Sequence, residues 1–167
     1  DNDYFDDVYR HNGTHERYAG YCTDVFFGEA ATWIEKCRDE GQPFFAYVAT
    51  NADHVPLYVP EKYREPYAEV SDVFLRSFYA MISNFDENLG RLDDFLSGIG
   101  ARDNTILIYL SDNGGCVGTE TYNAGMRGTK TSYYDGGHRV PCFLRWPDAG
   151  FVPGDRTPTT QVQDLLP

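Results

Sequence analysis

The chain has 167 residues, 41% hydrophobic and 24% charged, with 16 glycines, which suits one domain with a core and excludes disordered, collagenous and low-complexity classes. Fourteen basic against 26 acidic side chains leave a net charge of −12. That field repels a phosphate backbone, so nucleic acid is not an expected partner, although a small anion held by a few local cations remains compatible with it.

The longest apolar runs, Phe44 to Ala49 and Ile106 to Leu110, fall far short of the ~20 residues that cross a bilayer, so no membrane span is expected. The amino end, DNDYFDDVYR, has neither the basic region nor the apolar region of a signal peptide. Residues 1–20 are polar, aromatic and unpatterned, and read as a surface arm or loop. Thr23 or Asp24 then caps a helix whose apolar positions Phe26, Ala30, Trp33, Ile34 and Cys37 share a face, with Gly41 and Pro43 closing it. The run FFAYVAT, Phe44 to Thr50, is apolar without alternation, as a strand covered on both faces would be. It opens into a loop punctuated by Pro56 and Pro60.

From about Val70 to Leu96, apolar residues at steps of three and four (Phe74, Leu75, Phe78, Ile82, Phe85, Leu89, Leu92, Leu96) predict a long amphipathic helix ended by Gly98 and Gly100. A second buried strand, Thr105 to Ser111, runs into Asp112-Asn113-Gly114-Gly115. Arg139 to Arg145 is a third, weaker strand with Pro141 marking an irregular start or an edge. The alternation predicts an α/β class with a mainly parallel sheet flanked by helices, incomplete at both ends: no strand opens the sheet, and QVQDLLP has the pattern of a helix that only begins. The four cysteines, Cys22, Cys37, Cys116 and Cys142, form no C-x-x-C pair and are expected as free thiols, with pairing and redox compartment open.

In open α/β sheets, ligands bind beyond the carboxyl ends of strands, and two polar clusters stand there: Asn51-Ala52-Asp53-His54 and Asp112-Asn113. Asp112 and Asn113 offer hard oxygens suited to calcium or magnesium, or else they form an ordinary Asn-Gly turn with Asp112 as a cap. His54 is a candidate acid, base or donor to an oxyanion, or a loop histidine bonded to nearby backbone. Lys130, with Arg127, His138 and Arg139, gathers positive charge in an acidic chain, as an anion site or as a solvated basic loop.

Four pieces, in order, resemble the sulfatase family of the alkaline-phosphatase-like superfamily: GYCTDVFFGEAATWIEK, FFAYVATNADHVPLYVPEKY, YAMISNFDENLGRL, and ILIYLSDNGG with MRGTKTSYYDGGHRVPCFLRWP. They cover the chain from about Gly20 onward. The resemblance implies that Asp112 and Asn113 are calcium ligands, that His54 contacts the sulfate ester and that Lys130 holds a sulfate oxygen; His138 matches a structural turn position. The family's nucleophile is a formylglycine made from the first residue of C-x-P-S-R or S-x-P-S-R, and neither motif occurs here. Asp6-Asp7 follows no apolar strand and reads as a solvated acidic loop rather than as the family's remaining calcium ligands. The implied protein is a central-to-carboxyl part of one catalytic domain spanning 1–167, inactive alone and completed by the missing amino-terminal part. Its parent would be exported and would act on a sulfated small molecule or sugar. A phosphonate or phosphate ester hydrolase of the same superfamily, and a noncatalytic anion-binding module, are the alternatives.

Overall fold

The computed structural model describes residues 3–156 and 160–165. The chain divides into two compact units, Asp1–Ile99 and Gly100–Pro167. Every buried apolar side chain among the described residues lies in the first unit; in the second, the buried residues are Gly114, Gly136 and Gly137.

The first unit opens with a hairpin where the polar composition suggested only an arm. Strands β1 (Val8–His11) and β2 (Thr14–Arg17) pair antiparallel, Val8 opposite Arg17 and His11 opposite Thr14. The turn residues Asn12 and Gly13 have φ of 49° and 92°, the two positive values that a tight primed turn demands and that Asn-Gly supplies at low cost. Tyr9 packs edge-on against Phe26 with ring centroids 5.2 Å apart.

Helix α1 (Cys22–Asp39) forms as expected, but its cap differs. Tyr21 is the capping residue and makes no side-chain bond to the helix end. Thr23 and Asp24 lie inside the first turn, because Asp24 is turned toward helix α2 (Val73–Gly98). There its Oδ1 accepts hydrogen bonds from Asn84 Nδ2 (2.8 Å) and Asn88 Nδ2 (2.7 Å). The buried stripe of α2 is thus Ser77, Ala80, Met81, Asn84, Asn88, Leu92 and Leu96, rotated from the purely apolar stripe, with Phe74 and Ile82 exposed. A carboxylate on the facing helix makes buried amides tolerable, since a buried polar group costs little once it is paired. On α1, Ile34 and Cys37 are buried while Trp33 is exposed. Phe27 meets Phe85 edge-on at 5.5 Å across the helix pair. The α2 start is capped by Asp72, which accepts from the Phe74 and Leu75 amides.

The segment Phe44 to Thr50 is not a paired strand. No strand is assigned over it, and Phe45 and Tyr47 are 75% and 83% exposed. A strand needs neighbours to take its backbone groups and cover its faces, and among the described residues none pairs with it.

In the second unit, β3 (Leu107–Leu110) pairs with β4 (Cys142–Arg145), Leu107 opposite Arg145 and Leu110 opposite Cys142. Both strands fall where the sequence placed them, with β4 beginning after Pro141. The pairing is antiparallel, so the parallel sheet expected from the alternation does not form among the described residues. The α/β class itself stands. A single helical turn, α3 (Asp135–His138), precedes β4. Near the carboxyl end, a 3₁₀ turn covers Val162–Leu165; Leu166 and Pro167, the close of the expected helix, lie outside the described residues. All four cysteines are free thiols, Cys22 and Cys37 buried, Cys116 and Cys142 exposed.

Candidate active site

In the second unit, Asp112 and Asn113 stand just past the carboxyl end of β3, Asp112 exposed and Asn113 half-buried, with Ser111 Oγ donating to the Asn113 carbonyl at 3.2 Å. Beyond Asn113 the chain enters a knot of glycines. The Gly114 amide donates to the Gly137 carbonyl (3.0 Å) and the Gly136 amide to the Arg127 carbonyl (2.9 Å). A Cβ on Gly114 would overlap the Gly136 carbonyl, one on Gly136 the Gly128 carbonyl, and one on Gly137 the Ser132 carbonyl. These three glycines have no positive φ; space alone excludes a side chain, because backbone packs directly on backbone. The glycines thus serve this packing, a role the bare sequence did not reveal.

The knot fastens Lys130 to the strand end, since the Lys130 amide donates to the Gly115 carbonyl at 2.9 Å. The next residue, Thr131, has φ of 73°, a strained conformation for a β-branched residue of the kind found where a neighbouring side chain must be aimed. Asn123 Nδ2 donates to the carbonyls of Met126 (2.9 Å) and Gly128 (2.8 Å), stapling the loop from within. The Arg127 guanidinium lies 3.7 Å from the centre of the Tyr134 ring. Asp112, Asn113 and Lys130 therefore belong to one locally braced assembly, and His138 closes the adjoining turn α3.

His54 belongs to the first unit. Its loop is pinned by buried Leu57 and Val59, by the Tyr21 hydroxyl donating to the Tyr58 carbonyl (2.9 Å), and by the Cys22 thiol donating to Asn51 Oδ1 (3.4 Å). The His54 amide donates to the Asn51 carbonyl, and its Nδ1 donates to the Val55 carbonyl, both at 2.8 Å. The ring itself is exposed. With Nδ1 committed to backbone, Nε2 is the atom that can meet a substrate. Beside this loop a concavity of about 330 Å³ is lined by Tyr4, Tyr9, Cys22, Phe26 and Asn51 among others. Burial pushes the Cys22 thiol up, away from the reactive thiolate, and pushes the Tyr9 hydroxyl up to about 12.

The donor set past β3 fits calcium in kind, both side chains offering hard oxygen. It supplies two of the roughly six to eight oxygens that the ion takes, and no cluster of three or more acidic, histidine or cysteine residues exists among the described residues. No helix among them is long and apolar enough to cross a membrane.

An α/β chain with a polar pair just past a strand end and a lysine whose backbone is tied beside it has features of the alkaline-phosphatase-like hydrolases, and comparison with known proteins makes this specific. The sulfatase family model matches residues 1–167. The chain is 30% identical over 151 residues to the uncharacterized sulfatase YdeN of Escherichia coli K12, covering 89% of this chain and 27% of that protein. It is 34% identical over 128 residues to arylsulfatase J of Mus musculus, covering 77% and 21%. Among solved structures it is similar to Ps i-CgsB in complex with k-i-k-neocarrahexaose, with a TM-score of 0.77, 31% identity, and coverage of 82% of this chain and 30% of that one. The chain belongs to the sulfatase family. It spans about a quarter of the length of the curated relatives it matches.

Proposed function

We propose that this chain supplies part of the active site of a sulfuric ester hydrolase. The observation that supports the reading is the backbone bond beside the glycine knot, from the Lys130 amide to the Gly115 carbonyl, two residues past Asn113. In this reading Asp112 and Asn113 hold calcium, which when bound supplies positive charge against the sulfate oxygens. The Lys130 ammonium holds a sulfate oxygen. His54, its Nδ1–H spent on the Val55 carbonyl, in its protonated form gives a hydrogen from Nε2 to the bridging ester oxygen. As the nucleophile provided by other polypeptide bonds to sulfur, the sulfur–oxygen bond breaks, that oxygen leaves as the alcohol, and in this proposal His54 and Lys130 each offset the charge growing on the oxygen it meets.

The formylglycine nucleophile that the resemblance implies has no counterpart here, so turnover is proposed for a domain in which other polypeptide provides it. The substrate is a sulfated small molecule or sugar. The neocarrahexaose held by Ps i-CgsB and the relatives named N-acetylgalactosamine-6-sulfatase support the sugar. An exported location is part of the same proposal, through the family resemblance.

Two measurements test it. The isolated chain should not turn over a chromogenic aryl sulfate; multiple turnover at an ordinary ~1 to 10³ per second would overturn the assignment of the nucleophile elsewhere. In an enzyme completed to the length of its relatives, His54→Ala and Lys130→Ala should each lower kcat by about 10² to 10³, more than they raise KM. The double variant should cost less than the two combined, since in this proposal both donors act on one transferring sulfuryl group. Parent-like kcat in either folded single variant would remove that residue from the site.

A further inference from the structure

The loop that carries Lys130 has features which holding a sulfate oxygen does not use. Over residues 121–145 there are four cations, Arg127, Lys130, Arg139 and Arg145, against the single carboxylate of Asp135, a local charge of +3 in a chain of −12. On the same loop the tyrosine rings are unusually bare: Tyr133 is 99% exposed and Tyr122 is 79% exposed. Neither contributes to the packing of the second unit, and a large ring left in water forgoes the free energy that burial would return. The backbone beneath them is not slack. The Ser132 amide donates to the Thr129 carbonyl (3.0 Å), the Gly137 amide to the Tyr134 carbonyl (2.8 Å), and the Met126 amide to the Asn123 carbonyl (2.8 Å). With the Asn123 staple and the Lys130 tie to Gly115, these bonds hold the backbone that carries the rings. Tyr134 is already occupied by the Arg127 guanidinium, which leaves Tyr122 and Tyr133 as the open aromatic faces and Lys130 as the cation between them in sequence.

We infer that this loop is a carbohydrate subsite in which Tyr133, with Tyr122, stacks against the apolar C–H face of a sugar ring next to the sulfated one, while Lys130 takes the sulfate. The inference rests on the assignment of Lys130 above and adds a specificity determinant to it. A flat aromatic face recognises the ring and a lysine the anion, so a ligand offering both gains over either alone. A rigid tyrosine loses little conformational freedom on binding.

The test uses the 167-residue chain itself, with a monosulfated galactose disaccharide, its unsulfated twin and inorganic sulfate as probes, read by isothermal titration and by amide shifts in two-dimensional NMR. The sulfated disaccharide should bind at least about tenfold tighter than inorganic sulfate, with shifts at residues 122–134. Tyr133→Ala should erase most of that advantage and leave sulfate binding unchanged, whereas Tyr133→Phe should keep it, since the face and not the hydroxyl is used. Tyr122→Ala should have a smaller effect of the same sign. Lys130→Ala should weaken sulfate and sulfated disaccharide alike. If Lys130→Ala weakens both probes but Tyr133→Ala leaves their ratio intact, the stacking inference is overturned and the sulfate assignment survives. Sulfate binding indifferent to Lys130→Ala would instead overturn the assignment on which the inference stands. Absence of any difference between the sulfated disaccharide and sulfate in the parent chain also refutes the subsite.

Discussion

One substitution, glycine to alanine, should have opposite signs at two positions of this chain. At Gly136 a methyl group would overlap the Gly128 carbonyl and lie against the Arg127 carbonyl oxygen, all backbone, so the knot must open to admit it. Overpacking of this kind costs about 1 to 3 kcal/mol, and strain on the Gly136-to-Arg127 hydrogen bond adds about 1 kcal/mol. Against this, the loss of unfolded-state freedom returns about 0.4 to 1 kcal/mol. The net is a destabilisation of about 2 kcal/mol, roughly thirtyfold in the folded to unfolded ratio. At Gly90, exposed within α2, a Cβ meets nothing within 4 Å and φ is not positive. There the same change should stabilise by about 0.5 to 1 kcal/mol through helix propensity alone. Urea unfolding followed by circular dichroism measures both. Hydrogen exchange at the Lys130 amide localises the first effect, because opening the knot frees that amide from Gly115. Gly136→Ala with stability and Lys130 protection equal to the parent's would refute the close-packing argument and, with it, the claim that the knot positions Lys130.

Four further outcomes are expected. Asp24→Ala removes the acceptor shared by Asn84 and Asn88, which are 0% and 2% exposed, and should cost about 1 to 3 kcal/mol in urea unfolding, because the buried Asn84 amide loses its acceptor while Asn88 keeps its bond to the Asn84 carbonyl. Asp72→Ala should cost about 1 kcal/mol by removing the cap on the Phe74 and Leu75 amides, read as an earlier thermal transition. The Tyr9 hydroxyl is buried without a hydrogen-bond partner among the described residues, so Tyr9→Phe should be neutral or stabilising at pH 7. Burial raises its pKa from near 10 to about 12, so between those values the folded state keeps a proton that the unfolded chain has lost. Stability therefore falls as pH rises through this window, and Tyr9→Phe should flatten part of that slope in pH-dependent unfolding. Tyr21, raised by burial in the same direction, would supply part of the remainder. Finally, Phe45→Ser with Tyr47→Ser should reduce self-association in sedimentation velocity, since two large rings are lifted from an exposed apolar face.

Local periodicity and punctuation were enough to place α1, α2, β3 and β4 within a few residues, because hydrophobic repeat, glycine stops and proline starts act over distances shorter than one element. The hairpin was missed: Asn12-Gly13 is a turn signal, but the polar composition around it reads as a surface arm or loop. The residues read as a site, Asp112, Asn113, Lys130 and His54, stood at strand ends or among cations, and the order of the surrounding motifs pointed to the sulfatase family. Properties that depend on what faces what were not legible. An apolar run such as Phe44 to Thr50 reads the same whether or not neighbours pair with it, and the alternation of helices and strands does not fix whether β3 and β4 run parallel. That Asn84 and Asn88 belong to the buried face of α2 was decided by Asp24, 60 or more residues away in the chain. Likewise Gly114, Gly136 and Gly137 look like flexible turn residues in one dimension. Only the fold reveals them as contact points where backbone meets backbone, because the exclusion of a Cβ is a statement about the distance between segments that sequence alone does not measure.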